Sequence, residues 1–108
     1  MKDADITIRS GSHNVYADLG YPDAQRMKVK AALVSRLAAI LKARRYSQTR
    51  AAEITGLPQP KLSAILRGKF RGVSEEKLMR CLTALGQDVK IVITPSRKGR
   101  AGSLSVAA

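Results

Sequence analysis

Residues 47–69, SQTRAAEITGLPQPKLSAILRGK, contain two short apolar patterns on either side of one glycine, Gly56. Each pattern has the three- and four-residue steps of a helix face. The apolar residues are Ala51, Ala52 and Ile54 before the glycine, and Leu62, Ile65 and Leu66 after it. Ser47 is a favourable N-cap for a helix of about residues 48–55, and Gly56 can adopt the left-handed conformation that ends it. A second helix of about residues 59–66 is compatible with Pro60, because N–H groups in a first turn lack intrahelical partners.

Two short helices joined by a turn of this length form a helix-turn-helix. In that motif the second helix enters the major groove of DNA, and the start of the first helix faces a phosphate. The charge of the region agrees with an anionic partner. Between Lys42 and Arg71 there are eight basic residues and one acid, Glu53, a net charge of +7. The sequence therefore predicts a nucleic-acid-binding unit.

Two further helices are predicted beside this pair. No helix breaker follows Pro22 until residue 45, and the apolar residues repeat at helical steps, which predicts one long helix over about residues 22–45. These apolar residues are Met27, Ala31, Val34, Ala38 and Leu41, with Leu33, Leu37 and Ile40 beside them. Ser74, followed by Glu75 and Glu76, predicts the start of a last helix, which ends at Gly86. Its predicted buried face consists of Leu78, Cys81, Leu82 and Leu85.

Residues 88–94, DVKIVIT, alternate Val89, Ile91 and Ile93 with other residues and precede Pro95, which predicts a strand. A lone strand needs a partner for its backbone groups, so we expect these three residues to mediate dimerisation, or the strand to pair with a short one at residues 5–10. The predicted fold class is all-α, a bundle of four to five helices with this C-terminal strand. Residues 1–20 are predicted to be a flexible segment, 21–94 the domain, and 95–108 a basic disordered tail.

Composition limits the class of protein. The 108 residues suit one domain; 44% are apolar, only 4% are aromatic, and the net charge is +12. The single cysteine, Cys81, cannot form an internal disulfide, which favours a reducing cytoplasm, and Cys81 itself is expected in the core. No signal peptide or membrane span is predicted. His13 has no second metal ligand nearby in the sequence, and no paired-carboxylate or Cys-His arrangement is present. We therefore predict that the chain binds no metal or cofactor and is not an enzyme.

The segment YSQTRAAEITGLPQPKLSAILRGK resembles the helix-turn-helix of phage-repressor-like (XRE-type) regulators. The similarity lies in the Ser-Gln at the first helix, the A-x-x-x-G at the turn and the R-G-K at the exit. NVYADLGYPDA, QPKLSAILRGK and LMRCLTALGQDVKIVI also resemble HigA-like antitoxins, which bind RelE-fold toxins. The resemblance covers residues 14–94. It implies a phage-repressor-like bundle, a homodimer, a palindromic double-stranded DNA operator and a RelE-fold toxin as protein partner.

The resemblance also implies roles for seven residues: Gln48, Gln59, Lys61, Ser63, Ala64, Arg67 and Lys69. By position, Gln48 contacts a phosphate, and Gln59 is the first base-contacting residue of the recognition helix, where a glutamine can pair with adenine. Lys61, Ser63 and Ala64 lie on the groove side. Lys61 suits a guanine or a phosphate, and Ala64 suits a thymine methyl. The last two contact the DNA backbone. Pro60 departs from the family pattern, because it cannot donate a hydrogen bond to a base.

Several of these residues allow a second interpretation. Gln59 could serve as a helix-start residue, and Lys61, Arg67 and Lys69 could be solvated charges. Arg44 and Arg45 suit either the negative end of a helix dipole or DNA. As a whole, the chain could be an antitoxin that represses its own operon, a stand-alone repressor without a toxin, or a basic RNA-binding or ribonuclease-like protein.

Overall fold

A computed structural model describes residues 24–107, in which the chain forms four α-helices and no strand. The helices are α1 (Ala24–Ala43), α2 (Gln48–Thr55), α3 (Gln59–Leu66) and α4 (Glu75–Ala84). The described residues belong to two compact units, one of residues 30–90 and one that combines residues 24–29 with 91–107. The predicted strand at residues 5–10, the predicted helix start at Pro22, and His13 lie outside the described residues.

Helix α1 ends two residues before its predicted boundary. Arg45 adopts a left-handed conformation with φ of 56°. Its N–H donates to the carbonyl of Lys42 across 3.2 Å, and the N–H of Tyr46 donates to that of Leu41 across 3.0 Å. This pair of bonds is the Schellman arrangement, which satisfies the last carbonyls of a helix. It usually contains glycine where α1 has Arg45.

The buried face of α1 differs in part from the predicted stripe. In the unit of residues 30–90 it consists of Lys30, Leu33, Val34, Leu37 and Leu41. Ala31 and Ala38, which the apolar repeat predicts to be buried, are exposed. The leucines remove far more apolar surface from water than alanines do, so they determine which side of the helix packs inward.

The core of the same unit is built from aliphatic side chains. Helix α2 contacts both α3 and α4, and its two alanines, Ala51 and Ala52, are buried. Leu62 and Ile65 of α3 are fully buried, and each contributes about 1.5–3 kcal/mol relative to an exposed side chain. The remaining buried residues are Leu57, Val73, Leu78, Cys81, Leu82 and Leu85. The predicted buried face of α4 is therefore confirmed.

Helix α4 begins and ends where the sequence predicts. The hydroxyl of Ser74 accepts a hydrogen bond from the N–H of Lys77 across 3.0 Å, with Glu75 and Glu76 in the first turn. At the other end Gly86 has φ of 85° and follows the last helical turn. Burial raises the pKa of the Cys81 thiol, and the nearby charge of Lys77 lowers it by less.

The predicted C-terminal strand is wrong for the single chain. Residues 89–94 have no regular secondary structure, and Ile91 and Ile93 are 76% and 91% exposed. The physical reason is that a strand needs a neighbour for its N–H and C=O groups, and the described residues contain no second strand. Residues 95–107 also lack helix and strand. Within them, the backbone N–H of Leu104 donates to Oε1 of Gln25 across 2.7 Å.

Candidate nucleic-acid interface

The turn between α2 and α3 depends on Gly56. Its φ of 79° and ψ of 6° lie in the left-handed region, as predicted, and its N–H donates to the carbonyl of Ala52 across 2.9 Å. A Cβ at this glycine would meet no atom within 4 Å, so the backbone conformation rather than space selects glycine. Thr55 and Leu57 complete the turn: the Thr55 hydroxyl donates to the carbonyl of Ala51, and Leu57 is buried.

The start of α2 is capped as the sequence predicts. Ser47 has an extended backbone, and its Oγ accepts a hydrogen bond from the N–H of Arg50 across 3.0 Å. Gln48 is therefore the first residue of the helix, and its side chain is exposed. The side chain of Arg50 pairs with Glu53 across 3.2 Å on the exposed face of α2.

Helix α3 begins without a side-chain cap. Its N-cap is Pro58, whose ring has no acceptor, and its first residue is Gln59. The first intrahelical bond runs from the N–H of Leu62 to the carbonyl of Pro58, 3.0 Å. Pro60 lies in the first turn, where N–H groups have no intrahelical partner. Because proline has no N–H, one donor that would otherwise be unsatisfied is absent. Gln59, Pro60 and Lys61 are all exposed at this end of the helix.

A hydrogen bond joins the first residues of α2 and α3. The Nε2 of Gln59 donates to the Oε1 of Gln48 across 3.0 Å. The family resemblance implies DNA contacts for both residues, but the sequence does not predict this bond, because it links residues 11 positions apart. The bond leaves the Oε1 of Gln59 and one hydrogen of its amide available. Those are the acceptor and donor that bidentate pairing with adenine requires.

A second pair lies along the exposed side of α3. The Nη1 of Arg67 donates to the Oγ of Ser63 across 2.7 Å. The structure thus connects a residue predicted to face the groove with one predicted to contact the DNA backbone, a pairing that the i, i+4 spacing could have revealed. Ala64 is half-buried beside them, and Lys61 is exposed.

Helix α3 ends in a Schellman arrangement at Gly68, whose φ is 100°. The N–H of Gly68 donates to the carbonyl of Ile65 across 3.0 Å, and that of Lys69 donates to the carbonyl of Ala64 across 2.9 Å. These bonds fix the direction in which the chain leaves the helix. Lys69 is exposed directly after it.

The two arginines that follow α1 have different surroundings. Nη1 of Arg44 donates to the backbone carbonyl of Leu85 across 3.0 Å, which favours a structural role at the end of α4. Arg45 is exposed and has positive φ. The predicted DNA contacts of the seven site residues stay predictions, although their positions around the starts of α2 and α3 and along α3 are now defined.

Comparison with known proteins assigns the class. A helix-turn-helix domain family matches residues 15–94, most of the chain, and the chain belongs to this family. A solved structure named as an XRE family transcriptional regulator shares 43% sequence identity with the chain and has a TM-score of 0.74. That match covers 81% of this chain and 99% of the other. The fold is therefore an XRE-type helix-turn-helix.

No curated protein matches the chain. In residues 24–107 no helix has the length and apolar character that crossing a membrane requires. The same residues contain no group of three or more His, Cys, Asp and Glu side chains that could hold a metal ion.

Proposed function

We propose that the chain is a sequence-specific DNA-binding regulator of transcription that acts by binding rather than by catalysis. The observation that supports this most directly is the Gln48–Gln59 pair at the exposed start of an XRE-type helix-turn-helix. The same motif carries the exposed cations Lys61, Arg67 and Lys69, and the named relative is a transcriptional regulator. A gel-shift with the DNA upstream of the protein's own gene tests the proposal. Binding that unrelated competitor DNA removes as easily as the same unlabelled fragment would contradict it.

In this proposal α3 lies in the major groove with its N-terminal end towards the bases. Gln59 pairs with adenine while Gln48 holds its amide and faces a phosphate. Lys61 and Ala64 contact a guanine or phosphate and a thymine methyl, respectively. Because Pro60 has no N–H and no polar side chain, the base pair beside it is selected by DNA shape rather than by direct contact.

Arg67 and Lys69 would fix the position of α3 on the duplex. Arg67 is held by Ser63, so less side-chain freedom is lost when it meets a phosphate. Such backbone contacts add affinity that falls steeply with salt and has no sequence preference.

We further propose that the chain acts as a homodimer on a palindromic operator. One recognition helix contacts only a few base pairs, too few to select one site among the ~10⁶ or more in a genome. Val89, Ile91 and Ile93 would lie in the interface. Ile91 and Ile93 are exposed, Val89 is half-buried, and residues 89–94 have no backbone partners in the described chain. A second copy would cover these side chains.

A second proposed function is neutralisation of a RelE-fold toxin, with repression of the shared operon. It rests on the similarity of residues 14–24, 59–69 and 78–93 to HigA-like antitoxins, and on an exposed apolar segment that could contact another protein. Co-expression with the product of the adjacent gene is the test. Relief of that product's toxicity would support the antitoxin, and the absence of a toxic neighbour would favour the stand-alone repressor.

A further inference from the structure

Lys30 is the only buried charged residue in the described part of the chain, with 6% of its surface exposed. It lies on the same face of α1 as the buried Leu33, Val34 and Leu37. Its Nζ donates to the backbone carbonyl of Arg71 across 2.7 Å, a contact between residues 41 positions apart. Burying an ammonium is unfavourable because it loses hydration, and a buried apolar side chain of the same length would avoid that penalty. Folding alone therefore gives little reason for a lysine at this position.

The carbonyl that Lys30 contacts belongs to the loop between α3 and α4, residues 67–73. This α3–α4 loop contains Arg67, Lys69 and Arg71, all exposed. Its start is fixed by the bonds at the end of α3, and its end is fixed by Val73, which is buried and donates to the carbonyl of Phe70 across 3.0 Å. Lys30 holds the loop between these two points. Arg67 and Lys69 carry like charges and do not stabilise one another, but each can contact a phosphate.

We propose that Lys30 is a positioning residue for DNA: it holds the α3–α4 loop from inside the core, so that the loop's cations meet the DNA backbone already ordered. Lys30 itself does not touch DNA, and none of the contacts predicted from the sequence involves it. The proposal rests on the proposed function only in taking DNA as the partner. An ordered loop loses less conformational freedom on binding. Without the bond to Lys30 that loss outweighs one or two of the loop's phosphate contacts, so these contacts no longer form and fewer phosphates are neutralised.

The test compares Lys30→Met with Lys77→Met. Both variants lose one positive charge, but Lys77 is exposed on α4, and its side chain has no described hydrogen bond. Binding to mixed-sequence duplex DNA is titrated over a range of salt concentrations. We expect Lys30→Met to keep its helix content and melting temperature, to bind about tenfold more weakly, and to lower the salt slope by about one to two. Lys77→Met should change the DNA affinity and the salt slope by less than half as much as Lys30→Met does. Lys30→Arg, which keeps a donor, should restore most of the wild-type salt slope.

Amide exchange in the free protein provides a second readout. In Lys30→Met, residues 69–73 should exchange faster while α2 and α3 remain as protected as in the wild type. If methionine is not tolerated, Lys30→Leu, which has no donor for the Arg71 carbonyl, replaces it. Equal salt slopes for Lys30→Met and Lys77→Met would overturn the proposal, and so would a loss of protection spread over all four helices.

The outcome is separable from that of the proposed function. Mixed-sequence DNA is bound through its backbone, so this comparison does not require a preferred sequence. A wild-type protein that shows no sequence preference would contradict the proposed function, while the difference between the two lysine variants would still decide the role of Lys30.

Discussion

The α2–α3 pair and residues 89–94 both carry exposed side chains, but they differ in how far their polar groups are already bonded within the chain. In the helix pair the backbone bonds close within the motif, Ser47 and Gly68 terminate it, and Gln48 and Gln59 bond to each other. Residues 89–94 form no backbone hydrogen bond with the rest of the described chain, and Ile91 and Ile93 face solvent.

The difference indicates two kinds of surface. A recognition element needs side chains that are already in place, because ordering them on binding reduces affinity. An apolar segment with open backbone groups is suited instead to association with a second copy, which can cover the side chains and bond the backbone. One chain is thus sufficient to build the proposed DNA-contacting surface, whereas the proposed dimer requires the second region as well.

The largest effect is expected from Ile91→Lys. A lysine at this position would place a charge in the proposed dimer interface, dissociate the dimer and reduce operator affinity by a factor on the order of 100, because the two half-sites would no longer be bound together. Sedimentation velocity and gel-shift measure the two effects. Leu104→Lys, at another exposed apolar residue, is the matched control and should leave the dimer intact. A dimeric Ile91→Lys protein would show that residues 89–94 lie outside the interface.

Gln59→Ala should have the next largest effect. It removes the predicted adenine contact and leaves Gln48 without its partner, so binding to the preferred operator should weaken by ~1–3 kcal/mol. Discrimination should be lost at one base pair in each half-site. Titrations against a set of operators with single base changes measure this directly. Unchanged discrimination at every position would mean that Gln59 only starts the helix.

Arg67→Ala is the comparison for Gln59→Ala. It should weaken binding to all sequences alike and lower the salt slope by ~1, because a phosphate contact is lost while no base contact is. If Arg67→Ala and Gln59→Ala gave the same profile across the operator set, the division into base-contacting and backbone-contacting residues would be wrong.

Gly56→Val tests whether the helix pair depends on its turn. Valine strains a backbone with φ of 79°, so the free energy of unfolding should fall by ~1–2 kcal/mol. Gly72→Val is the matched control, since Gly72 has no positive φ and no atom near its Cβ position. Urea denaturation of both variants gives the two values. Equal stability of the two would contradict the role assigned to the turn.

The smallest effect, of opposite sign, is expected from Arg45→Gly. Glycine adopts the left-handed conformation of this position more easily than arginine, so stability should rise by up to ~1 kcal/mol. The salt slope of DNA binding then separates the two alternatives for the side chain. A slope lower by ~1 would indicate a phosphate contact, and an unchanged slope would leave Arg45 as a helix-end residue only.

The sequence predicted the parts of the fold that depend on neighbouring residues. The bounds of α2 and α3, the caps at Ser47 and Ser74, and the left-handed Gly56 all follow from local backbone chemistry, and all are confirmed. The strand was wrong because its formation depends on a partner rather than on residues 89–94 alone.

Interactions between distant residues were the other limit. Alternation and spacing do not reveal that Gln59 bonds to Gln48, or that Lys30 reaches the carbonyl of Arg71, because these pairs are brought together only by the packing of the helices. The exposure of Ala31 and Ala38 is not predicted for a similar reason, because the packing partners determine which side of α1 is covered.

Selection of DNA from a random-sequence duplex library tests the central claim most directly, because it needs both the recognition helix and the second copy. We predict that the wild-type protein enriches one sequence with two inverted half-sites whose centres lie about one helical turn, ~34–36 Å, apart, with a shared adenine in each half-site. Enrichment of no sequence would contradict the proposed DNA recognition, and enrichment of a single, non-repeated half-site would contradict the dimer.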